Sequence, residues 1–189
     1  MRFASIASGS SGNCIYTGSD HTHLLIDAGI SAKKIDQGLR ELGLSGSDVS
    51  GILITHEHTD HICGLGVLLR KYQIPVYATE RTIKRILATS SLGAMSRELF
   101  CPICPDEPFE IGDLSVCLID FLGKVRQCFL IYRTKCCEIC FQLTVAFAIG
   151  IQSFVFLLIQ RSVFQIGGQS LDLSPQLLDL LCGIRGLLL

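Results

Sequence analysis

The chain has almost no net charge, because 16 lysines and arginines are balanced by 17 aspartates and glutamates, which leaves −1 at pH 7. It therefore lacks the excess of positive charge with which many nucleic-acid-binding proteins hold phosphates, although bound metal ions could supply such charge locally. It also lacks a secretory signal pattern, since its first residues lead directly into a predicted strand. With 189 residues we expect one domain. We expect it in the cytoplasm, where its ten cysteines would stay reduced.

Histidine is scarce and unevenly placed, with five in the chain and none after residue 61. Four residues of metal-binding types follow the apolar run 51–54 and lie within six positions: His56, His58, Asp60 and His61. His56 and His58 are two residues apart, so in an extended segment they project to the same side and can bind one cation. Asp60 and His61 can bind a second cation close by. Imidazole and carboxylate suit zinc and similar divalent metals, so the sequence predicts a metal site rather than a merely polar loop.

Short apolar strands alternate with helical patterns along the first 120 residues. Ser31 and Thr79 stand where helix N-caps are expected, and a hairpin is predicted around Gly112-Asp113. This alternation indicates an α/β sandwich. Strands are predicted over 2–7, 14–17, 22–26, 51–55, 76–78, 109–111 and 114–119, and helices between Ser31 and Gly43, over 62–72 and after Thr79.

The motif His-x-His-x-Asp-His after a strand resembles the metal motif of the metallo-β-lactamase superfamily. Segments 4–13, 24–29 and 69–78 resemble the YycJ/WalJ-like subfamily in order and in spacing. The resemblance covers about residues 1–121 and implies the N-terminal half of an αββα sandwich. It also implies a metal-dependent hydrolase with exonuclease-like activity on the phosphodiester bonds of nucleic acid.

The resemblance further implies two metal ions, with zinc expected and manganese as the alternative. His56 and His58 would bind one ion, and Asp60 and His61 the other, each ion taking a further histidine from later in the chain. Asp60 would also orient the attacking water and so act in catalysis. Asp27 ends a predicted strand near the metal motif. It is expected to accept a hydrogen bond from a ligand histidine, with a plain role in the turn as the alternative.

The later ligands do not match this pattern, because no histidine follows His61 and the aspartates after residue 116 are only Asp120, Asp172 and Asp179. Two protein ligands per ion are fewer than the three that a catalytic zinc site usually has. We therefore expect weak metal binding and poor turnover from the chain as given. A catalytically inactive, metal-binding remnant is the alternative function.

The composition changes after about residue 121, which divides the chain into a matching segment, 1–121, and a hydrophobic tail, 122–189. Charged residues number 23 in positions 1–116 and 10 in positions 117–189, and none lies between 139 and 160. We favour an altered reading frame or a misjoined gene end for the tail. The alternatives are a divergent second half and a transmembrane helix over 139–159, which would tether a metal-binding protein to a membrane. A membrane partner is the less favoured expectation.

Overall fold

The computed structural model describes residues 1–120, 127–133, 142–147 and 156–160. Its first sheet has six strands in chain order. The first three strands are antiparallel, and β3 to β6 are parallel. The strands are β1 (Arg2–Ala7), β2 (Cys14–Gly18), β3 (His23–Ile26), β4 (Gly51–Leu53), β5 (Val76–Ala78) and β6 (Phe100–Pro102).

The second sheet is antiparallel throughout and has the order β11-β10-β9-β8-β7. Its strands are β7 (Pro108–Ile111), β8 (Leu114–Asp120), β9 (Gln127–Arg133), β10 (Gln142–Phe147) and β11 (Phe156–Gln160). The hairpin predicted around Gly112-Asp113 is confirmed by the pairing of β7 with β8. Most of 122–189 lies outside the described residues, so the altered-frame interpretation stays a prediction.

Four α-helices connect the parallel strands or lie beside them: α1 (Ala32–Glu41), α2 (Thr59–Ile62), α3 (Leu65–Tyr72) and α4 (Glu80–Ala88). Short 3-10 turns occur at Gly46–Asp48, Ser90–Leu92 and Arg97–Leu99. Thr79 caps α4 as predicted, because its side chain accepts a hydrogen bond from the amide of Thr82. Ser31 occupies the N-cap position of α1, but its side chain makes no capping hydrogen bond.

The first sheet separates two hydrophobic cores, because successive side chains of a strand point to opposite faces. Ile52 and Ile54 face the core that contains the helices, while Leu53 faces the core between the two sheets. The helix core includes Ile35 and Leu39 of α1. The described residues thus form a layer of helices, a sheet and a second sheet, which is the α/β layering that the sequence predicts.

Within residues 1–120 two elements differ from the prediction. The helix predicted over 62–72 is divided at Cys63 and Gly64 into α2 and α3, and α2 already begins at Thr59. Gly64 packs too closely on the chain before α1 for a side chain, since a Cβ atom there would overlap the carbonyl oxygen of Ile30. Strand β6 was not predicted, because it is short and ends in a proline, a residue that argues against a strand.

For 139–159, where one transmembrane helix was the alternative, the structure describes only the residues of two strands. Residues 142–147 and 156–159 belong to β10 and β11, which pair with each other. Among the residues that the structure describes, no helix has the length and apolar character needed to cross a bilayer.

Candidate metal centre

The candidate centre lies where the parallel strands β3 and β4 end side by side. Leu25 pairs with Ile52, and Ile26 with Leu53, so the residues that follow both strands emerge at one edge of the sheet. Asp27 follows β3. The segment 55–61, here called the metal loop although its last three residues begin α2, follows β4 and contains the four predicted ligands: His56, His58, Asp60 and His61.

Asp27 is 3% exposed and anchors the metal loop to the end of β3. Its backbone has a φ of 61°, a left-handed conformation that aspartate tolerates better than most residues. Its amide donates to the carbonyl of Leu53 at 2.8 Å. Its carboxylate accepts the amide of Thr55 at 2.9 Å and lies 2.7 Å from Nδ1 of His61. Asp27 therefore occupies the place expected for a hydrogen-bond acceptor behind a ligand histidine.

The structure brings the four predicted ligands together. The ring centres of His56 and His61 are 3.9 Å apart, and those of His56 and His58 are 4.5 Å apart. Oδ2 of Asp60 is 3.4 Å from Nε2 of His61. His61 is buried, at 6% exposure, while His58 is exposed. The centre is therefore open to solvent on the His58 side.

The contact with Asp27 decides which nitrogen of His61 faces the centre. An ionised carboxylate only accepts hydrogen bonds, so Nδ1 of His61 carries the proton and donates it to Asp27. Nε2 then carries the lone pair that could bind a cation, and Nδ2 of Asn13 lies 3.3 Å from it. Nε2 also lies beside the carboxylate of Asp60, so the side chains of His61 and Asp60 present one nitrogen and one oxygen to a common position.

The donor types fit zinc or a similar divalent ion, because imidazole nitrogen and carboxylate oxygen are ligands of such metals. They form two pairs, His56 with His58 and Asp60 with His61. Over residues 1–120 and the described strands beyond them, no three His, Cys, Asp or Glu side chains are grouped so that they could hold one ion. Within that part of the chain the loop thus supplies a partial ligand set.

The two neighbouring imidazoles have pKa values shifted in opposite directions. Burial, and then the neighbouring His61, lower the pKa of His56. Burial by itself would also lower the pKa of His61, but the hydrogen bond to Asp27 and the charges of Asp27 and Asp60 outweigh it, so that pKa is raised. The doubly protonated form of His61 therefore persists to higher pH than that of His56, and a metal at Nε2 of His61 would compete with that second proton.

Asn13 reaches the centre although the sequence assigned it no role. It is 5% exposed, and its backbone N–H donates to the backbone carbonyl of Asp60 at 2.8 Å. Its Oδ1 accepts the amide of Gly9 at 3.1 Å, so its Nδ2 points to the centre and lies 3.3 Å from Nε2 of His61. These contacts span 47 and 48 positions of the sequence, and the position of Asn13 in a Gly/Ser loop was the only signal for them.

The metal loop is also held from the side of α4. Arg85 of that helix forms an ion pair with Glu57. Burial would raise the pKa of Glu57, but its hydrogen bonds and the charge of Arg85 lower it, so Glu57 stays ionised. The ion pair of Glu57 with Arg85 thus connects the metal loop to α4.

Comparison with known proteins identifies relatives of this arrangement. The family model of the metallo-beta-lactamase superfamily matches residues 7–114. The exodeoxyribonuclease YycJ of Bacillus anthracis is 55% identical over 82 residues, which cover 43% of this chain and 31% of that protein. The exodeoxyribonuclease WalJ of Streptococcus pneumoniae is 47% identical over 93 residues, 49% of this chain and 35% of that protein. The chain thus spans about a third of the length of these relatives.

Solved structures show the same fold. A B3 metallo-β-lactamase with an active-site glutamic acid superposes with a TM-score of 0.59 at 20% identity, over 76% of this chain and 58% of that one. The Rm3 metallo-β-lactamase gives a TM-score of 0.57 at 23% identity, over 76% and 57% of the two chains. At such identities these likenesses establish architecture alone.

Proposed function

Because the chain belongs to the metallo-β-lactamase superfamily, we propose that its site is that of a metal-dependent hydrolase for phosphodiester bonds in nucleic acid, with activity impaired in the chain as given. The observation that carries the proposal is the convergence of the four predicted ligands on one edge of the sheet, with His61 held from behind by Asp27. Zinc is the proposed metal, at two sites, with manganese as the alternative.

The proposed sites follow the two donor pairs, His56 with His58 and Asp60 with His61. A divalent ion bound there lowers the pKa of a water molecule and stabilises charge on the attacked group. The side chain of Asp60 is 38% exposed, whereas that of His61 is 8% exposed. Asp60 can therefore accept a hydrogen bond from a water molecule and orient it toward the substrate.

The substrate class comes from the relatives, two of which are named exodeoxyribonucleases. A net charge of −1 gives the chain little general attraction for a phosphate backbone. In this proposal the metal ions supply the positive charge at the point of reaction. Binding to DNA should accordingly depend on the metal more than on surface lysines and arginines.

Metal stoichiometry tests the proposal. The purified chain, dialysed against zinc and measured by elemental analysis, should hold zinc only when the metal loop is intact. A chain that holds no zinc above a buffer blank, although circular dichroism shows it folded, would contradict the proposed function.

A catalytically inactive metal-binding remnant is the second candidate. The observation that favours it is the lack of a third His, Cys, Asp or Glu beside either pair within the described residues. About two firmly held ions per chain support the hydrolase, because each pair then has additional ligands. One ion, held weakly, supports the remnant.

A further inference from the structure

Thr55 opens the metal loop and is almost fully buried, at 1% exposure. Its hydroxyl oxygen lies 3.0 and 2.9 Å from the two carboxylate oxygens of Asp27. It also lies 3.0 Å from Nδ1 of His56 and 3.3 Å from Nδ1 of His61. A single hydroxyl thus stands between the buried carboxylate and one histidine of each proposed metal pair.

The protons around this hydroxyl can be assigned. A hydroxyl donates one hydrogen bond and can accept others. Its proton goes to Asp27, because hydrogen bonds to an ionised acceptor are the stronger ones. The oxygen of Thr55 is then left to accept Nδ1–H of His56, while His61 keeps its own shorter bond of 2.7 Å to Asp27.

We propose that Thr55 is a positioning residue that extends the hold of Asp27 to His56, so that one buried carboxylate orients a ligand of each metal pair. The proposal rests on the pairing of ligands given under the proposed function. Asp27 acts on His61 directly and on His56 through the hydroxyl. In both rings Nδ1 carries the proton, and Nε2 is the nitrogen left for a cation.

The effect of the Thr55 hydroxyl can be tested without disturbing the backbone hydrogen bonds of the same residue. The amide of Thr55 donates to Oδ1 of Asp27 at 2.9 Å, and the amide of Asp27 donates to the carbonyl of Leu53 at 2.8 Å. These bonds hold the two strand ends together without the side chain of Thr55. Thr55→Val replaces the hydroxyl by a methyl group of similar size, whereas Thr55→Ser keeps the hydroxyl and loses the methyl group.

The first test is the tautomer of His56 in the metal-free chain, read from imidazole nitrogen chemical shifts at a pH above the end of both imidazole titrations, where His56 and His61 are neutral. Wild type should show Nδ1–H on both His56 and His61. In Thr55→Val, His56 should become a mixture of tautomers while His61 keeps Nδ1–H, and Thr55→Ser should restore His56. A wild-type His56 that carries its proton on Nε2 would overturn the proposal, whether or not any variant folds.

The second test is zinc affinity, measured by competition with a chromogenic chelator. Thr55→Val should weaken zinc binding by about ten- to a hundredfold, the usual loss when a partner behind a metal ligand is removed. Thr55→Ser should bind close to wild type. Equal affinity in wild type and Thr55→Val would refute the positioning role. A wild type that binds no zinc would instead refute the proposed function, and the tautomer of His56 would still decide the role of Thr55.

Discussion

Nδ1 of His61 lies 2.7 Å from Oδ2 of Asp27, and both side chains are buried. The contact joins residues that are 34 positions apart in the sequence. It exists because β3 and β4 are parallel neighbours whose ends coincide. The orientation of His61, a proposed metal ligand, is therefore set by the pairing of two strands.

Asp27→Asn should change the protonation of His61 in the metal-free protein. The pKa of His61 is raised in the wild type, chiefly because Asp27 outweighs burial. With the charge removed, burial remains, so the pKa should fall below the ordinary value of about 6.5. Titration of the imidazole signals by NMR measures this, with His56 expected below its ordinary value in both proteins.

The same pair makes stability depend on pH. Because the folded pKa of His61 is raised, its contribution is fully present below the unfolded value of about 6.5 and is lost as the pH rises through the folded pKa. The difference in unfolding free energy between wild type and Asp27→Asn should therefore be larger at about pH 5.5 than at about pH 8. Urea denaturation of the chelator-treated proteins measures it, and a difference that grows with pH would contradict the assignment.

Much of this fold could be predicted from the sequence, because the pattern of apolar residues is local information. Short apolar runs bounded by turn residues predicted the strands from β1 to β5. The helical spacing of apolar residues predicted the inward positions Ile35 and Leu39. The division between α2 and α3 could not be predicted in this way. It depends on a tight contact between Gly64 and the carbonyl of Ile30, which no periodicity encodes.

The residues of the candidate site also fall into those that local sequence predicts and those that it does not. The four ligands lie within six residues, so their spacing alone suggested a metal. Asn13 and Thr55 differ, because what they do depends on contacts made across the sheet edge. An asparagine after a Gly/Ser loop and a threonine at a strand end are also ordinary turn residues. Their partners become visible only once β3 and β4 are paired.

Gly29→Ala should destabilise the protein and loosen the centre. A Cβ atom on Gly29 would overlap the carbonyl oxygen of Asp60 and crowd the amide of Asn13. Overpacking of this kind costs about 1–3 kcal/mol, and a backbone obstacle places it at the upper end of that range. Urea denaturation measures the loss, with Ser11→Ala, in the exposed loop between β1 and β2, as the control. Equal stability of the two variants would show that α2 can move away at little cost.

His58→Ala and Asp60→Ala should each reduce zinc content sharply and leave the fold largely intact, because neither side chain belongs to the buried core. Elemental analysis after dialysis measures the metal, and circular dichroism checks the fold. His21→Ala is the matched control, since His21 is also exposed but lies in the turn between β2 and β3. Zinc content that is the same in all four proteins would refute the site.

Translation of the coding DNA beyond codon 121 in the other two frames should yield the missing ligands. The expectation is a glycine-bounded aspartate and a further histidine for each ion, because catalytic zinc usually has three protein ligands. The grounds are the absence of histidine after residue 61 and the change in composition near residue 121. If neither frame supplies downstream histidines, a divergent second half becomes the better explanation of 122–189.

The chain as given should show no more than trace nuclease turnover with added zinc or manganese. Each proposed ion has two ligands from the metal loop, and the described residues group no third with them. An ion held by two ligands positions its water poorly, and small misplacements of reacting groups cost large factors in rate. A single-stranded DNA degradation assay on purified, monodisperse protein measures the activity, with His56→Ala as the control for contaminating nuclease. Trace turnover that His56→Ala leaves unchanged would come from a contaminant. Robust metal-dependent cleavage that His56→Ala abolishes would overturn the expectation and show that other residues of this chain complete the ligand set.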